Sequence, residues 1–185
     1  MRVISGVARG CKLIAPSGEK TRPTGDRVKE DMFNILGGGR NSLRGLAFLD
    51  LYCGSGAVGI EALSRGAGRA VFVDYSRKAI AAVEANLEKT RLAEKAQLYC
   101  MPVGQAVEKT LSGSAFDVIF LDPPYNKMEL VPLIINIMQG GLLANDGIII
   151  AECPHGTKFP DNMQVIKQKK YAQMQIVFLE EGTKL

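Results

Sequence analysis

The residues that most constrain the fold are Gly54-Ser55-Gly56-Ala57-Val58-Gly59, set between an apolar run and a helical one. Before them, Leu46-Ala47-Phe48-Leu49-Asp50-Leu51 has the composition of a buried parallel strand. After them, Ile60-Glu61-Ala62-Leu63-Ser64 continues as helix until Gly66-Ala67-Gly68 closes it. Ala70-Val71-Phe72-Val73-Asp74 then reads as a second strand, ending on an acid 20 residues beyond Gly54. Strand, G-x-G-x-x-G, helix and acid-tipped strand together describe a nucleotide-binding βαβ unit, in which the acid takes ribose hydroxyls.

The alternation continues. Residues 76–91 are helical, with Ile80, Val83 and Leu87 on one face. A strand is expected near 97–100, a helix over 103–111, a strand ending at Asp122, a helix over 128–139 and a strand over 148–152. Val165-Ile166-Lys167 and Gln175–Leu179 read as a closing antiparallel pair. This predicts an α/β fold with a doubly wound, mostly parallel, seven-stranded sheet.

Residues 1–24 read differently. Val3-Ile4 and Lys12-Leu13-Ile14 flank Gly6–Gly10, which predicts a basic β-hairpin extension, with 25–185 as the main domain. Thr24 or Asp26 could cap a following helix that carries Val28, Met32, Ile35 and Leu36, and Gly37-Gly38-Gly39 ends it. The net charge is +4, but residues 1–44 hold nine Lys or Arg against four Asp or Glu. That excess suits a segment that meets phosphates, or simply a solvated basic face.

A second stretch carries chemistry. Phe116–Leu121 is a run of mostly apolar, strand-forming residues that stops at Asp122-Pro123-Pro124-Tyr125, because proline neither donates to a ladder nor continues a helix. A rigid turn there holds Asp122 and Tyr125 at the carboxyl end of a strand, where open α/β sheets bind ligands. For a planar base with an exocyclic amine, Asp122 and the Pro123 carbonyl can each accept one amine hydrogen. The Tyr125 ring can stack on the base, worth about 1–3 kcal/mol. The bland alternative is a proline turn after a strand.

The glycine turn with Asp74 implies a bound adenosine but not which cofactor carries it. Asp50, four residues before Gly54, suits a cationic ligand better than a diphosphate. S-adenosylmethionine carries an ammonium and a sulfonium, whereas NAD carries a diphosphate and leaves Asp122–Tyr125 without a role. At this point the chain resembles class I S-adenosylmethionine-dependent amino-methyltransferases, whose fourth strand ends in [Asn/Asp/Ser]-Pro-Pro-[Tyr/Phe]. Arg22-Pro23-Thr24, Asp26-Arg27-Val28, Leu49–Gly56, Glu61–Ala67 and Leu121–Tyr125 narrow the likeness to the RsmD family. The resemblance covers residues 1–152 closely and the last thirty loosely.

That resemblance implies methylation of the N2 amine of one guanine in 16S ribosomal RNA. It implies a Rossmann-like fold and S-adenosylmethionine as cofactor, with no metal. The cofactor site it implies comprises Asp50, Tyr52, Gly54, Ser55, Gly56, Asp74, Tyr75, Met101 and Asp122. Asp122, Pro123, Pro124 and Tyr125 are the expected catalytic residues. Arg9, Lys12, Arg22, Thr24, Arg27 and Tyr125 are the expected RNA contacts, although Arg22 and Arg27 could instead pair with Asp26, Glu30 or another acid. The chain departs from the family in having Asp74 where Glu is usual, and Tyr171-Ala172 where Tyr-Gly is common. It also has Cys100-Met101-Pro102 with no acid to meet the adenine amine. That leaves backbone groups near Met101 for the adenine.

With 185 residues there is little room for a separate target-reading domain, so an assembled or assembling small subunit is the expected partner, with no obligate protein partner. Neither a signal-peptide h-region nor a stretch of about 18 apolar residues occurs, so no membrane association is expected. Cys11, Cys53, Cys100 and Cys153 form no C-x-x-C pair, and His155 cannot complete a usual zinc set with them; buried free thiols in a cytoplasmic protein are expected. Three other readings stand beside this one: a DNA or RNA adenine-N6 methyltransferase, an NAD-dependent oxidoreductase and a catalytically silent RNA-binding module.

Overall fold

A computed structural model of the chain describes residues 1–16, 25–37, 43–124 and 130–182. The helices are α1 (Asp26–Gly37), α2 (Ala57–Ser64), α3 (Arg77–Thr90), α4 (Val103–Gln105) and α5 (Leu130–Gln139). The strands are β1 (Ala47–Leu51), β2 (Arg69–Asp74), β3 (Ala96–Cys100), β4 (Phe116–Leu121), β5 (Leu143–Cys153), β6 (Met163–Lys170) and β7 (Gln175–Glu181). They form one seven-stranded sheet in the order β3-β2-β1-β4-β5-β7-β6. The first five strands run parallel, and the last two close the sheet as the expected antiparallel pair.

The reversal of strand order between β1 and β4 positions the site. Chain order runs one way from β1 through β2 to β3 and the other way from β1 to β4, which opens a crevice at their carboxyl ends. Central strands are buried on both faces, as their continuous apolar runs require. Their side chains alternate between two core layers. Phe48, Phe72, Val118 and Phe120 pack beneath α1, α2 and α3; Leu49, Val71, Ile119 and Leu121 pack beneath α5 and the segment after β3.

Three elements differ from the sequence expectation. The helix over 103–111 is a single α-helical turn that widens into a π-helix at Ala106–Thr110. β5 begins five residues earlier than expected, at Leu143. Within the described part of the N-terminal segment, the hairpin is short: the Val3 N–H donates to the Cys11 carbonyl at 3.0 Å, the Leu13 N–H to the Met1 carbonyl at 3.2 Å and the Gly10 N–H to the Val3 carbonyl at 2.9 Å, about the antiparallel Arg2–Lys12 bridge. Side chains from elsewhere add to this short ladder and hold the segment against the domain. The buried Glu61 carboxylate of α2 accepts from the Ile4 and Ser5 N–H groups at 2.7 and 2.9 Å and from Arg65 Nε at 2.7 Å. Lys29 of α1, fully buried, lies 3.4 Å from the same carboxylate and donates to the Arg2 carbonyl at 2.6 Å. Each of these buried charges is compensated, which is the condition for keeping it inside.

Cys53 and Cys153 are buried as expected, but Cys11 is half-buried and Cys100 exposed. Cys11 packs at the margin of the first core layer, and Cys100 is the last residue of β3, at one edge of the sheet. Among the described residues, no helix is long and apolar enough to cross a membrane.

Candidate active site

The turn after β1 is built from left-handed backbone. Tyr52, Gly54 and Gly56 have φ of 60°, 53° and 72°. For tyrosine that conformation costs about 1–2 kcal/mol, a strain kept where the loop must take one shape. The three glycines of the motif have different reasons to be glycine. A methyl group on Gly54 would meet nothing within 4 Å, so that position opens on space into which a ligand can press against backbone. One on Gly56 would touch Val83 at 3.0 Å and Phe72 at 3.3 Å. One on Gly59 would lie 2.3 Å from Phe72, so Gly59 exists to let α2 settle on β2.

Acids converge on this turn. Asp74, at the end of β2, accepts from the Gly54 N–H at 3.0 Å through one oxygen and from the Ser76 N–H at 2.9 Å through the other. Asp50 is buried at the heart of β1, where its Oδ2 accepts from the Gly59 N–H at 2.9 Å. Its Oδ1 is buried and has no hydrogen-bond partner among the described residues. Burial pushes the Asp50 carboxyl well above its ordinary range; the Gly59 N–H opposes this, while Asp122 and Asp74 add to it. Cys53 is shifted upward by burial and then by Asp50 and Asp74, which keeps it a neutral thiol rather than a nucleophile.

Asp122 follows β4 directly, and Pro123 beside it is buried. Its carboxyl is also raised, first by burial and then by the Glu152 carboxylate. The register explains that pairing, since Leu121 lies opposite Ala151, so Asp122 follows β4 where Glu152 follows Ala151 on β5. Glu152 was not among the residues expected at the site; an acid ending an apolar strand beside Asp122 was its signal, but only the β4–β5 pairing makes them neighbours. Four acids thus gather at the carboxyl ends of β1, β2, β4 and β5. Burial and mutual repulsion hold Asp50 and Asp122 above their ordinary range, so a cation that lets them ionise is favoured at this site.

The remaining expected residues are distributed as follows. Tyr52 is half-buried in the turn, and Tyr75 is 67% exposed beyond β2. The Met101 N–H donates to the Asp74 carbonyl at 3.0 Å, so it is not left for an adenine ring and the contact must fall to neighbouring backbone. Arg9, Lys12 and Arg27 are exposed. Asp26 pairs with Arg2 at 3.5 Å rather than with Arg27. Arg22, Thr24 and Tyr125 lie outside the described residues. Sequence reasoning also missed Asn86 of α3, whose fully buried side chain donates to the Ser55 carbonyl at 3.0 Å.

An acid-lined crevice at the switch point of a parallel sheet, with a glycine turn on one side and Asp-Pro-Pro on the other, belongs to the Rossmann-like methyltransferases. The fold agrees: a solved structure from Escherichia coli, the protein yhhF, superposes with a TM-score of 0.87 at 29% identity, covering 100% of this chain and 99% of that one. Residues 1–180 match the family described as Conserved hypothetical protein 95, and the chain belongs to it. YlbH of Bacillus subtilis is 42% identical over 164 residues, which is 88% of either chain. Ribosomal RNA small subunit methyltransferase D of Haemophilus influenzae is 31% identical over 172 residues, covering 91% of this chain and 88% of that protein.

Proposed function

We propose that this chain transfers a methyl group from S-adenosylmethionine to the N2 amine of a guanine in small-subunit ribosomal RNA, within an assembled or assembling particle. The reading rests on the names of its relatives and on its own acids. The observation that carries it is the cluster of Asp50, Asp74 and Asp122 about the glycine turn, with the buried Asp50 Oδ1 unpartnered. A ligand bearing an ammonium and a sulfonium answers those charges; NAD does not. Asp74 would hold the ribose, Asp50 would face the methionine end, and Gly54 would let the backbone close on the ligand. Bound there, S-adenosylmethionine supplies a methyl group activated by its sulfonium.

The protein's part is positioning. A paired guanine hides its amine, so the base must leave its stack to reach Asp122. The N2 lone pair is delocalised into the ring and is a poor nucleophile. Asp122 and the Pro123 carbonyl accept the two amine hydrogens, favour a more tetrahedral nitrogen and aim its lone pair outward. Tyr125 stacks on the base. Orientation and electrostatics supply the acceleration, without a covalent intermediate on the protein.

Two measurements test this reading. S-adenosylhomocysteine should raise the melting temperature where NAD does not, because only a ligand of the native state stabilises it. Asp122→Ala should still be stabilised by S-adenosylhomocysteine, though less than wild type, and should lose methyl transfer by roughly 100-fold or more. Near wild-type transfer by Asp122→Ala would remove Asp122 from the mechanism.

A further inference from the structure

The cationic surface is not confined to the N-terminal quarter. β6, Met163–Lys170, carries Lys167, Lys169 and Lys170 and no acid, and it is the edge strand opposite β3. Its pairing with β7 places it precisely enough to matter: Lys170 lies opposite Gln175, and Gln175 opposite Cys153 at the end of β5. Lys170 is therefore at the carboxyl edge of the sheet, level with the Asp122 end of β4. At about 4.8 Å per strand, its backbone is about 15 Å from that end. The two lie close enough for one folded RNA to reach both.

Contacts connect this strand to the basic N-terminal segment. Lys169 Nζ sits 2.6 Å from Asp31 of α1, and the Tyr171 hydroxyl donates to the same carboxylate at 3.1 Å. The Lys169 ammonium holds the Asp31 carboxyl below its usual range against the upward push of burial, and Tyr171 and Arg27 add to the lowering. One turn away on the same helix, Asp26 pairs with Arg2, and Arg2 and Arg9 line a shallow cleft with Asp26 and Glu30. The Asp31 and Asp26 carboxylates thus fasten cations from both ends of the chain onto α1. Lys167, exposed on the same face of β6 as Lys169, extends the positive band, and Lys170, exposed on the opposite face, carries it around the end of the strand at the sheet edge.

We infer that Lys167 and Lys170 of β6 contact RNA phosphates, so that the substrate is held along a band from Arg9 across Arg27 to the edge strand. This deepens the ribosomal-RNA reading above and rests on it. Phosphate contacts of this kind carry affinity and register rather than sequence, as suits an enzyme whose Asp122 pocket chooses the base. The competing explanation is that edge lysines merely discourage strand-to-strand aggregation.

The test compares full-length wild type with Lys167→Gln/Lys170→Gln and Lys167→Arg/Lys170→Arg; Lys169 is spared because it docks α1. Binding of small-subunit ribosomal RNA is measured over a salt series, and methyl transfer is measured with RNA and S-adenosylmethionine varied separately. The glutamine pair should lower the salt slope by about 1–2 and raise the KM for RNA at least about fivefold. It should leave kcat and the KM for S-adenosylmethionine unchanged, and the arginine pair should restore wild-type behaviour. An unchanged slope and RNA KM in the glutamine pair, whether or not it aggregates, would overturn the inference while an active wild type keeps the ribosomal-RNA reading. A wild type that methylates small-subunit RNA neither free nor in the assembled particle would overturn both.

Discussion

The side chain of Asn86 holds the cofactor turn and the N-terminal segment at once: its Nδ2 donates to the Ser55 carbonyl at 3.0 Å and to the Ile14 carbonyl at 2.9 Å. Its Oδ1 accepts from the Ile14 N–H at 2.8 Å. A fully buried amide with every contact on backbone works as a fixed clamp, because it has no solvent to exchange with. One residue of α3 thus sets both the glycine turn and the backbone at Ile14.

Asn86→Ala should therefore lose about 1–3 kcal/mol of stability from backbone groups left unpaired. It should also weaken S-adenosylhomocysteine binding, because the Ser55 carbonyl is released. Asn86→Asp keeps the Ile14 N–H contact but loses both donated bonds, and it should behave like the alanine variant towards the ligand. Denaturant unfolding and ligand-induced thermal shifts check both. A stable variant with an unchanged ligand shift would contradict the clamp.

The glycines should separate packing from ligand approach. Gly59→Ala forces a methyl group to 2.3 Å from Phe72 and should cost about 1–3 kcal/mol or more by overpacking. Gly54→Ala meets no neighbour and should cost only about 1–2 kcal/mol for its left-handed backbone, yet it should abolish tight cofactor binding. Equal loss of cofactor affinity per unit of lost stability in the two variants would contradict this division.

The buried acids give the ligand-free protein a definite pH dependence. Asp50 and Asp122 are raised in the folded state, while in the unfolded chain an aspartate titrates near about 3.9. Above about pH 4 the unfolded state has released protons that the folded state still holds, so stability falls as pH rises towards the folded-state values. Urea unfolding at pH 5 and pH 8 should show that fall, and Asp50→Asn should flatten it. S-adenosylmethionine, as a cation, should release protons on binding and bind more tightly at pH 8 than at pH 5. Stability or affinity moving the other way would contradict the acid-cluster account.

What was legible in the sequence was local. The Gly54–Gly59 turn, Asp74 at its fixed distance and the proline stop after Asp122 are signals contained within a few residues of strand or turn, and each sits at the carboxyl edge as expected. What escaped were pairings across long stretches of chain. Glu61 holds the N–H groups of Ile4 and Ser5, more than fifty residues away, and Asn86 holds Ile14. Glu152 reaches Asp122 only because β5 lies beside β4. β6 and β7 were legible as a pair, but the pairing does not say which lies inside. The contrast between Gln175–Leu179, which is buried, and the lysine-bearing β6 settles it physically.

The most direct test of the central claim is methyl transfer from labelled S-adenosylmethionine to small ribosomal subunits from cells lacking this enzyme, followed by nucleoside analysis. The account predicts label in N2-methylguanosine of the small-subunit RNA, abolished by Asp122→Ala. Label in N6-methyladenosine would keep the fold and the cofactor and contradict the substrate; no label in RNA from assembled or naked subunits would contradict the account as a whole.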